Sequence, residues 1–381
     1  MHKNKKILIV IPTLTFGWGA EKVATQVGDF LSAGNEILYY TFHKDTSMYP
    51  HQWKYYSVGH KNGSGLWKVC MMPVNIFLLY RFCKTHNIDV IISHMERANI
   101  ISIIAKCFLK KIKQISVVHN HKYATQYPYR ILIHMFYRFS DTIVAVSQGI
   151  SDMLVEEFWL KKVQKIYNSF NFEDVLKLSE EKLDPGDEKY FQGKWKIFLN
   201  VWRLTQQKWQ KQLIQSFSHI VNKKTDARLI IIWDWNLYQD LELEIEKLHL
   251  QKNIFLIWKR SNPYRYMKRA DVFVFSSFWE WFWLVLLEAL ILWLPIVSTD
   301  CLAWPREIIA PKLAKNKKIK YPYFWEYGIL TNTMNSKSDL VNYADAMNLA
   351  LEFSQNKNSD SEMFHSKNVS LTWNNLIDQW L

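Results

Sequence analysis

Two carboxylates stand eight positions apart around the start of an apolar segment in the second half of the chain. Both lie in the segment 278–295, FWEWFWLVLLEALILWLP, in which Glu280 stands just before the predicted apolar helix and Glu288 inside it. A carboxylate accepts several hydrogen bonds, so such a pair could hold the neighbouring hydroxyls of a polyhydroxylated ligand. Taken alone, two glutamates at this spacing are more often exposed surface residues.

Arg203 and Lys208 form a second candidate group, just after a predicted strand and at the start of a predicted helix. Two cations beside a helix N-terminus suit a diphosphate, because the side-chain charges and the helix dipole both favour an anion. A solvated Arg and Lys at a strand end are the simpler alternative. His119, in the sequence VVHNH, ends another predicted strand. A structural strand-end histidine is its alternative.

The elements that must position these residues follow one pattern. Short apolar runs alternate with helical stretches, which predicts β-α-β units and parallel sheets. The predicted strands are 7–11, 37–40, 90–93, 114–118, 142–146, 196–201, 228–232, 253–256, 271–275, 296–298 and 328–330. The predicted helices are 20–31, 74–85, 210–221, 237–248, 263–269, 284–292, 338–353 and 371–381. Ligands of such folds bind at the carboxyl edge of the sheet, and Glu288 follows a strand that ends there.

Taken together, these residues resemble retaining glycosyltransferase family 4, of the type that adds hexoses to bacterial surface glycans. The resemblance also rests on the run ADVFVFSS at 270–277, on Pro295 and Pro305, and on the glycine-containing loop FGWGAEKV at 16–23. It covers almost the whole chain. It implies the α/β fold called GT-B, in which two Rossmann-like domains face each other across a cleft.

The resemblance also implies a domain plan. An acceptor-side Rossmann-like domain would span 1–168, followed by a linker at 169–195. A nucleotide-sugar-binding Rossmann-like domain would span 196–355, and a crossover helix at 356–381, with Trp373, would pack back on the first domain.

Roles for single residues follow from the same resemblance. Glu280 and His119 would be catalytic and would orient the donor sugar. The donor-binding set would be Arg203, Lys208, Glu288, Gly17, Gly19, Phe282 and Leu284. The donor would be a nucleotide sugar, expected to be UDP-linked, and the acceptor a glycan or a lipid-linked glycan. No metal ion or cofactor is expected, and the sequence contains no DxD-type acidic cluster.

Tryptophan is abnormally frequent and glycine abnormally rare. The chain has 18 Trp and 11 Gly, although average usage of about 7% would give roughly 27 glycines. The family pattern has glycine at many positions where tryptophan stands here. These positions are Trp18, Trp202, Trp209, Trp233, Trp235, Trp258, Trp281, Trp283, Trp293 and Trp304, with Trp159 and Trp325 as further candidates.

This exchange predicts a blocked donor site. Glycine tolerates positive φ and lets backbone N–H groups touch phosphate. A side chain in left-handed backbone costs about 1–2 kcal/mol, and overpacking costs about 1–3 kcal/mol per site. We therefore expect transfer by this chain to be severely impaired or absent. An aromatic platform for sugar rings is the alternative, but it needs one or two indoles rather than ten.

Charge divides the chain unevenly. Residues 1–168 hold 21 Lys and Arg against 10 Asp and Glu, and the remainder holds 27 against 25. The basic half favours an anionic partner. The segments Lys68–Lys84 and Ile100–Lys113 predict a peripheral contact with the inner face of the cell membrane, and core helices with solvated lysines are the alternative. A nucleic-acid partner is not expected, because no recognition motif accompanies the charge.

The remaining features support a cytoplasmic protein. The four cysteines lack CxxC spacing and are predicted to be reduced thiols, and no apolar run reaches the ~18 residues that span a bilayer. Two other functions stay open. One is a GT-B protein that only binds or scaffolds at the membrane, and the other is a nucleotide-sugar 2-epimerase, whose acid and base residues cannot be identified here.

Overall fold

The computed structural model describes residues 4–15, 19–44, 53–60, 67, 70–119, 129–201, 209–222, 226–233, 238–278, 284–301, 305–313, 317–353 and 364–379. The side chains of Tyr129, Trp233 and Leu284 fall outside this description. The chain forms two compact units, one of residues 1–170 with 363–381 and the other of residues 171–362.

The strands lie where short apolar runs were predicted, with additional short strands between them. In the first unit they are β1 (Lys5–Ile11), β2 (Asn35–His43), β3 (Lys54–His60), β4 (Val90–His94), β5 (Lys113–Val118), β6 (Thr142–Ala145) and β7 (Val163–Lys165). In the second unit they are β8 (Lys196–Val201), β9 (Ala227–Trp233), β10 (Ile254–Trp258), β11 (Val272–Phe275), β12 (Ile296–Thr299), β13 (Tyr323–Trp325) and β14 (Gly328–Thr331).

Helices connect these strands. They are α1 (Ala20–Leu31), α2 (Met72–His86), α3 (Glu96–Cys107), α4 (Tyr129–Phe136), α5 (Gln148–Glu156), α6 (Phe172–Ser179) and α7 (Glu188–Phe191). They continue with α8 (Gln210–Val221), α9 (Tyr238–Lys247), α10 (Tyr264–Met267), α11 (Leu284–Ile291), α12 (Pro305–Ile309), α13 (Lys337–Ala350) and α14 (Ser366–Asp378). A 3-10 turn, Tyr137–Phe139, follows α4.

Each unit is built on one sheet whose strand order reverses once. The first sheet has the order β3-β2-β1-β4-β5-β6-β7 and the second the order β10-β9-β8-β11-β12-β14-β13. Neighbouring strands are parallel except for the β13–β14 pair. The reversal falls between β1 and β4 in the first sheet and between β8 and β11 in the second. In doubly wound folds, ligands bind in the crevice at this switch point.

Apolar residues from both sheet and helices form the core of each unit. In the first unit, Leu8 and Val10 of β1 share a buried cluster with Leu79 of α2 and Ile101 of α3. In the second unit, Phe198, Leu229 and Val274 of the sheet are buried with Phe217 of α8 and Met347 of α13. Strands covered by helices on their faces read as nearly continuous apolar runs, which is why the sequence pattern predicted them.

Helix α1 packs very closely on the first sheet. A Cβ placed on Gly28 would lie 2.0 Å from the hydroxyl oxygen of Tyr39, whose hydroxyl donates to the carbonyl of Thr25 at 3.2 Å. In the same unit, α14 packs against α1. Its Trp373 is buried, and Asn374 donates to the carbonyl of Phe30 at 3.3 Å.

The segment predicted as a linker, 169–195, contains α6 and α7 and belongs to the second unit from residue 171 onward. Arg260 holds it there with hydrogen bonds from Nε and Nη2 to the carboxylate of Asp187 at 2.8 and 3.1 Å. Tyr266 donates to the same carboxylate at 2.6 Å. Burial opposes ionisation of Asp187, but these hydrogen bonds outweigh it and lower its pKa.

Among the residues that the structure describes, no helix combines the length and the apolar character needed to cross a bilayer.

Candidate functional site

The switch point of the second sheet lies between β8 and β11, the strands that precede the predicted donor-binding segments in the sequence. Asn200 on β8 donates through Nδ2 to the carbonyl of Val274 on β11 at 2.7 Å, which ties the two strands to each other. The segment after β8 carries Arg203 and Lys208, and the segment after β11 carries Glu280 and Phe282. These four residues lie outside the described ranges. The strands that precede these two segments, β8 and β11, are neighbours in the sheet.

Glu288 occupies α11, the helix that follows this crevice, and its side chain is 5% exposed. The hydroxyl of Tyr264, on the short helix α10, donates to Oε1 of Glu288 at 3.0 Å. Burial, followed by the charge and the hydrogen bond of Glu288, raises the pKa of Tyr264 well above its usual range. Tyr264 therefore donates at any ordinary pH and orients a buried carboxylate.

Trp209, one of the predicted blocking residues, lies directly at this switch point. It precedes α8 with φ 51° and ψ 36°, which is left-handed backbone. Its ring stacks on that of Phe278, with centroids 4.8 Å apart and planes 21° from parallel. Because Trp209 follows the β8 segment and Phe278 follows β11, an aromatic stack joins the two sides of the crevice.

Trp293 occupies a helix end that usually belongs to glycine. Leu294 donates to the carbonyl of Ala289 at 3.0 Å, and Trp293 donates to that of Leu290 at 3.1 Å. Together these hydrogen bonds form a Schellman motif, whose residue after the helix takes left-handed backbone. Trp293 has φ 59° there. A bulky residue in this region is an outlier that costs about 1–2 kcal/mol.

The other predicted blocking residues fall into two groups. Trp233 and Trp258 end β9 and β10 and are partners in register, so both stand at the carboxyl edge of the second sheet. Trp159, one of the further candidates, follows α5 with φ 51°. The residues outside the described ranges are Trp18, Trp202, Trp235, Trp281, Trp283 and Trp304, and Gly17 lies outside them as well.

The first sheet has its own switch point, between β1 and β4. His94 ends β4, and the predicted catalytic residue His119 follows the neighbouring strand β5. Nδ1 of His94 lies 2.9 Å from Nε2 of His119, and the two rings are stacked. Burial lowers the pKa of both histidines, so the pair is neutral. His94 is fully buried, whereas His119 is partly exposed.

Two unusual features follow His94 at the same edge. Met95 has φ 74° and ψ 151°, and backbone strain of this kind costs about 1–3 kcal/mol and clusters at ligand sites. Glu96, the first residue of α3, is 5% exposed. Its Oε1 has no hydrogen-bond partner among the described residues. Burial, partly offset by a bond from its own N–H, raises the pKa of Glu96 to about 7.

The sequence predicted roles for His119 and Glu288 but did not predict the residues that contact their side chains. His94 and Tyr264 belong to no motif, and their contacts depend on strand register and helix packing. Gly19, a predicted donor-binding residue, precedes α1 with extended backbone. Leu284 begins α11. In the described part of the chain, no three His, Cys, Asp or Glu side chains are grouped to hold a metal ion.

Comparison with known proteins agrees with this architecture. The family model "Glycosyltransferase Family 4" matches residues 19–174, and the model "Glycosyl transferases group 1" matches residues 187–319. An uncharacterized glycosyltransferase of Methanocaldococcus jannaschii is 37% identical over 258 residues, 64% of this chain and 63% of that protein. The matched part thus spans somewhat less than two thirds of that relative.

Two further proteins are similar over more of the chain. One is the Campylobacter jejuni N-acetylgalactosamine-N,N'-diacetylbacillosaminyl-diphospho-undecaprenol 4-alpha-N-acetylgalactosaminyltransferase, 26% identical over 71% of this chain and 70% of that protein. The other is the crystal structure of the lipopolysaccharide outer core galactosyltransferase WaaB, which superposes with a TM-score of 0.75. It is 18% identical, and the match covers 99% of this chain and 100% of WaaB.

The chain therefore has the GT-B fold, and the predicted fold is confirmed. Its first part matches the family 4 model and its second part the group 1 model.

Proposed function

We propose that this scaffold is built for a retaining glycosyltransferase that moves a hexose from a nucleotide sugar to a bacterial glycan or lipid-linked acceptor. The observation that carries the proposal is the switch point of the second sheet. Its strands β8 and β11 are neighbours, the segments after them carry Arg203, Lys208 and Glu280 in the sequence, and the helix that follows holds a buried Glu288 that Tyr264 orients. A UDP-linked donor fits the pairing of two cations with a carboxylate.

The chemistry assigned to each group follows from the charge that develops in the reaction. Departure of the nucleotide diphosphate builds negative charge, which Arg203 and Lys208 would neutralise. Glu288 would accept hydrogen bonds from the ribose hydroxyls. Glu280 and His119 would orient the sugar, and the loop 17–19 would approach the phosphates. No metal ion has a part in the proposal.

In this sequence the donor site is proposed to be closed. Trp209 stacks on Phe278, and we propose that this stack fills the crevice in which the diphosphate would lie. Trp202, Trp281 and Trp283 flank the proposed donor residues in the sequence. We therefore expect little or no transfer. The C. jejuni relative, by its name, transfers N-acetylgalactosamine to an undecaprenol-linked glycan, and the acceptor proposed here belongs to the same chemical class.

Donor binding tests both parts of the proposal. Isothermal titration with UDP-glucose, UDP-galactose and UDP-N-acetylgalactosamine should detect no binding to the chain itself. The variant W18G/W202G/W281G/W283G should bind one of them in the micromolar range and turn it over. Tight binding and turnover by the unaltered chain would refute the closed site. No binding by a folded variant would count against the donor site itself.

A role at a membrane surface is favoured by a second observation. Along one face of α2, Val74, Phe77, Arg81 and Lys84 are exposed, and the Arg81 guanidinium lies 5.9 Å from the centre of the Phe77 ring. Helix α4, which packs against α3 as α2 does, exposes Ile131 and Met135. Apolar side chains ringed by cations suit an anionic lipid surface.

The segment 100–113 is divided between core and surface. Ile100, Ile101 and Ile103 are buried in the first unit, as the core-helix alternative expected, whereas Phe108 and Lys110 are exposed. The proposed membrane surface therefore consists of the exposed side chains of α2 and α4 with Phe108.

Liposome co-sedimentation tests this surface, which could serve a transferase or a binding scaffold alike. The chain should sediment with phosphatidylglycerol vesicles and not with phosphatidylcholine vesicles. The variant F77S/M135S should lose most of that binding. Leu243 on α9 is 63% exposed, so L243S is a matched control that should bind normally. Equal binding by both variants would eliminate the proposed surface.

A further inference from the structure

Three consecutive residues at the first switch point are not used by the proposed donor chemistry. His94 ends β4, Met95 carries the strained backbone, and Glu96 begins α3. The strand order of the sheet reverses its direction between β1 and β4. Doubly wound sheets bind ligands at such a reversal. The strand topology alone therefore indicates a ligand site at this position.

Two buried polar atoms at this point lack partners among the residues that the structure describes. Nε2 of His94 and Oε1 of Glu96 have no hydrogen-bond partner among the described residues, and both side chains are at least nine-tenths buried. Buried polar groups in folded proteins are nearly always hydrogen-bonded. Two such atoms, on residues separated by one residue with strained backbone, indicate a binding site whose ligand supplies the missing hydrogen bonds.

The hydrogen-bonding properties of His94 and Glu96 limit the chemical class of ligand that can bind here. The neutral imidazole of His94 presents at Nε2 either a donor or an acceptor, depending on the tautomer that its bond to His119 selects. Glu96 presents an acceptor oxygen when ionised and can donate when protonated. A hydroxyl both donates and accepts, so it satisfies either arrangement. A phosphate would be repelled by ionised Glu96.

We propose that Glu96 and His94 bind hydroxyls of the acceptor sugar and so position it beside His119. This proposal rests on the proposed function in one respect, namely that the bound sugar ring is the acceptor of the transfer reaction. No covalent step is assigned to either residue. Both side chains would touch the ring and so determine which sugar binds, and His94 also positions His119 through their contact at 2.9 Å.

Glycoside binding to the chain itself tests the site without requiring turnover. The probes are the p-nitrophenyl α-glycosides of galactose, glucose and N-acetylgalactosamine, followed by saturation-transfer NMR and titration. The chain should bind at least one of them. E96Q and H94Q should each weaken that binding about tenfold. Binding of no probe by the chain, or binding by both variants as tight as by the chain itself, would overturn the proposal.

The control is Glu157, an exposed carboxylate of the same unit that pairs with Arg130 at 3.0 Å. E157Q should bind the glycosides normally. A thermal melt establishes that E96Q and H94Q fold. UDP titration of the variant W18G/W202G/W281G/W283G separates this site from the donor site. Glycoside binding by the chain with no UDP binding by that variant supports the first site and counts only against the second.

The left-handed tryptophans carry a second, independent inference. In the described residues, Trp159, Trp209 and Trp293 have φ between 51° and 59°. Asn87 and His249 occupy similar helix ends at φ 52° and 55°. Asparagine tolerates this region, but a bulky residue is a genuine outlier there. Glycine is the residue that such positions favour.

We infer that the polypeptide made in the source organism carries glycine at positions 159, 209 and 293. The same exchange would extend to the other tryptophans that stand at glycine positions of the family pattern. One cause accounts for an exchange that runs only from glycine to tryptophan. The codon UGA is a stop in the standard genetic code and is reassigned to tryptophan or to glycine in others, so one codon read under the wrong code produces every replacement.

Peptide mass spectrometry of the protein purified from its source tests the inference. Peptides covering positions 159, 209 and 293 should each be lighter by the difference between a tryptophan and a glycine residue. Peptides covering Trp53 and Trp373, which have ordinary backbone, should retain tryptophan. The gene should carry UGA at the first group and UGG at the second. Tryptophan at positions 159, 209 and 293 would overturn the inference.

Discussion

The two sheets have the same kind of switch point, yet the residues there differ in character. At the β1–β4 crevice stand a buried carboxyl and a buried imidazole with unmatched polar atoms. At the β8–β11 crevice an indole stacks on a phenyl ring. Topology therefore sets where a ligand can bind, while the residues just after each strand decide whether the place is polar or filled.

The difference also separates two kinds of strained backbone. Met95 is strained beside groups that lack partners, as expected where strain serves a ligand. Trp293 is strained at a helix end where nothing requires a side chain, and glycine would relieve it. The first pattern is typical of a functional site, and the second indicates a residue that does not suit its backbone. The predictions below are ordered by expected effect and test this contrast.

Glu96 should produce the largest effect, through pH. Its pKa is about 7 in the folded protein against an ordinary value of 4.5, because of burial. Below pH 4.5 the folded and unfolded states both hold the proton, so no penalty arises. As pH rises through 7, the folded state must ionise a buried carboxyl and loses stability. The difference corresponds to roughly 3 kcal/mol.

Urea denaturation of E96Q across pH measures this directly. The variant should be more stable than the parent by about 3 kcal/mol at pH 8, and the advantage should vanish near pH 4. His94 and His119, whose lowered pKa values favour the folded state above pH 6.5 and weaken it on acidification, titrate in both proteins and cancel. Parallel stability curves would show that Glu96 is not buried as described.

Much of the fold was predictable because the relevant signal is local. β1 and β8 are apolar runs bounded by polar residues, and both were predicted. β3 was missed because its sequence KYYSVGH alternates exposed and partly buried residues at the edge of the sheet. β7 and β13 were missed because three residues give no periodicity.

The site was predictable only where a family motif names its residues. Glu288 and His119 were predicted in this way. Tyr264 and His94 were not, because the 3.0 Å and 2.9 Å contacts that make them important depend on how separate elements pack. The unusual backbone of Met95 likewise has no signal in the sequence. Spatial partners of motif residues are thus the part of a site that sequence leaves open.

A pair of matched substitutions tests whether the second crevice is closed by an indole. W209G and W293G both relieve left-handed backbone, so each should raise the free energy of unfolding by about 1–2 kcal/mol. The gain should be smaller for W209G, because it also loses a ring stack worth about 0.5–1.5 kcal/mol. Only W209G should raise UDP affinity, by about tenfold or ~1.4 kcal/mol.

Titration with UDP and urea denaturation check both expectations. N87G is the control, since asparagine already tolerates its left-handed backbone and little stability should be gained. Equal UDP affinity of W209G and W293G would mean that the Trp209–Phe278 stack does not occupy the donor crevice, and the contrast between the two switch points would then be lost.

The smallest effect on stability should come from Y264F, which tests the polar residues beside the β8–β11 crevice. The substitution removes the hydroxyl that donates to Glu288, and the loss of one such bond should cost about 0.5–1.5 kcal/mol of stability. Y321F removes a comparable bond, from Tyr321 to Asp300 at 2.6 Å, away from Glu288. Both substitutions are made in the variant W18G/W202G/W281G/W283G, and they should lower its stability by similar amounts. Only Y264F should lower UDP affinity, because Glu288 can hold ribose only while its carboxylate is oriented.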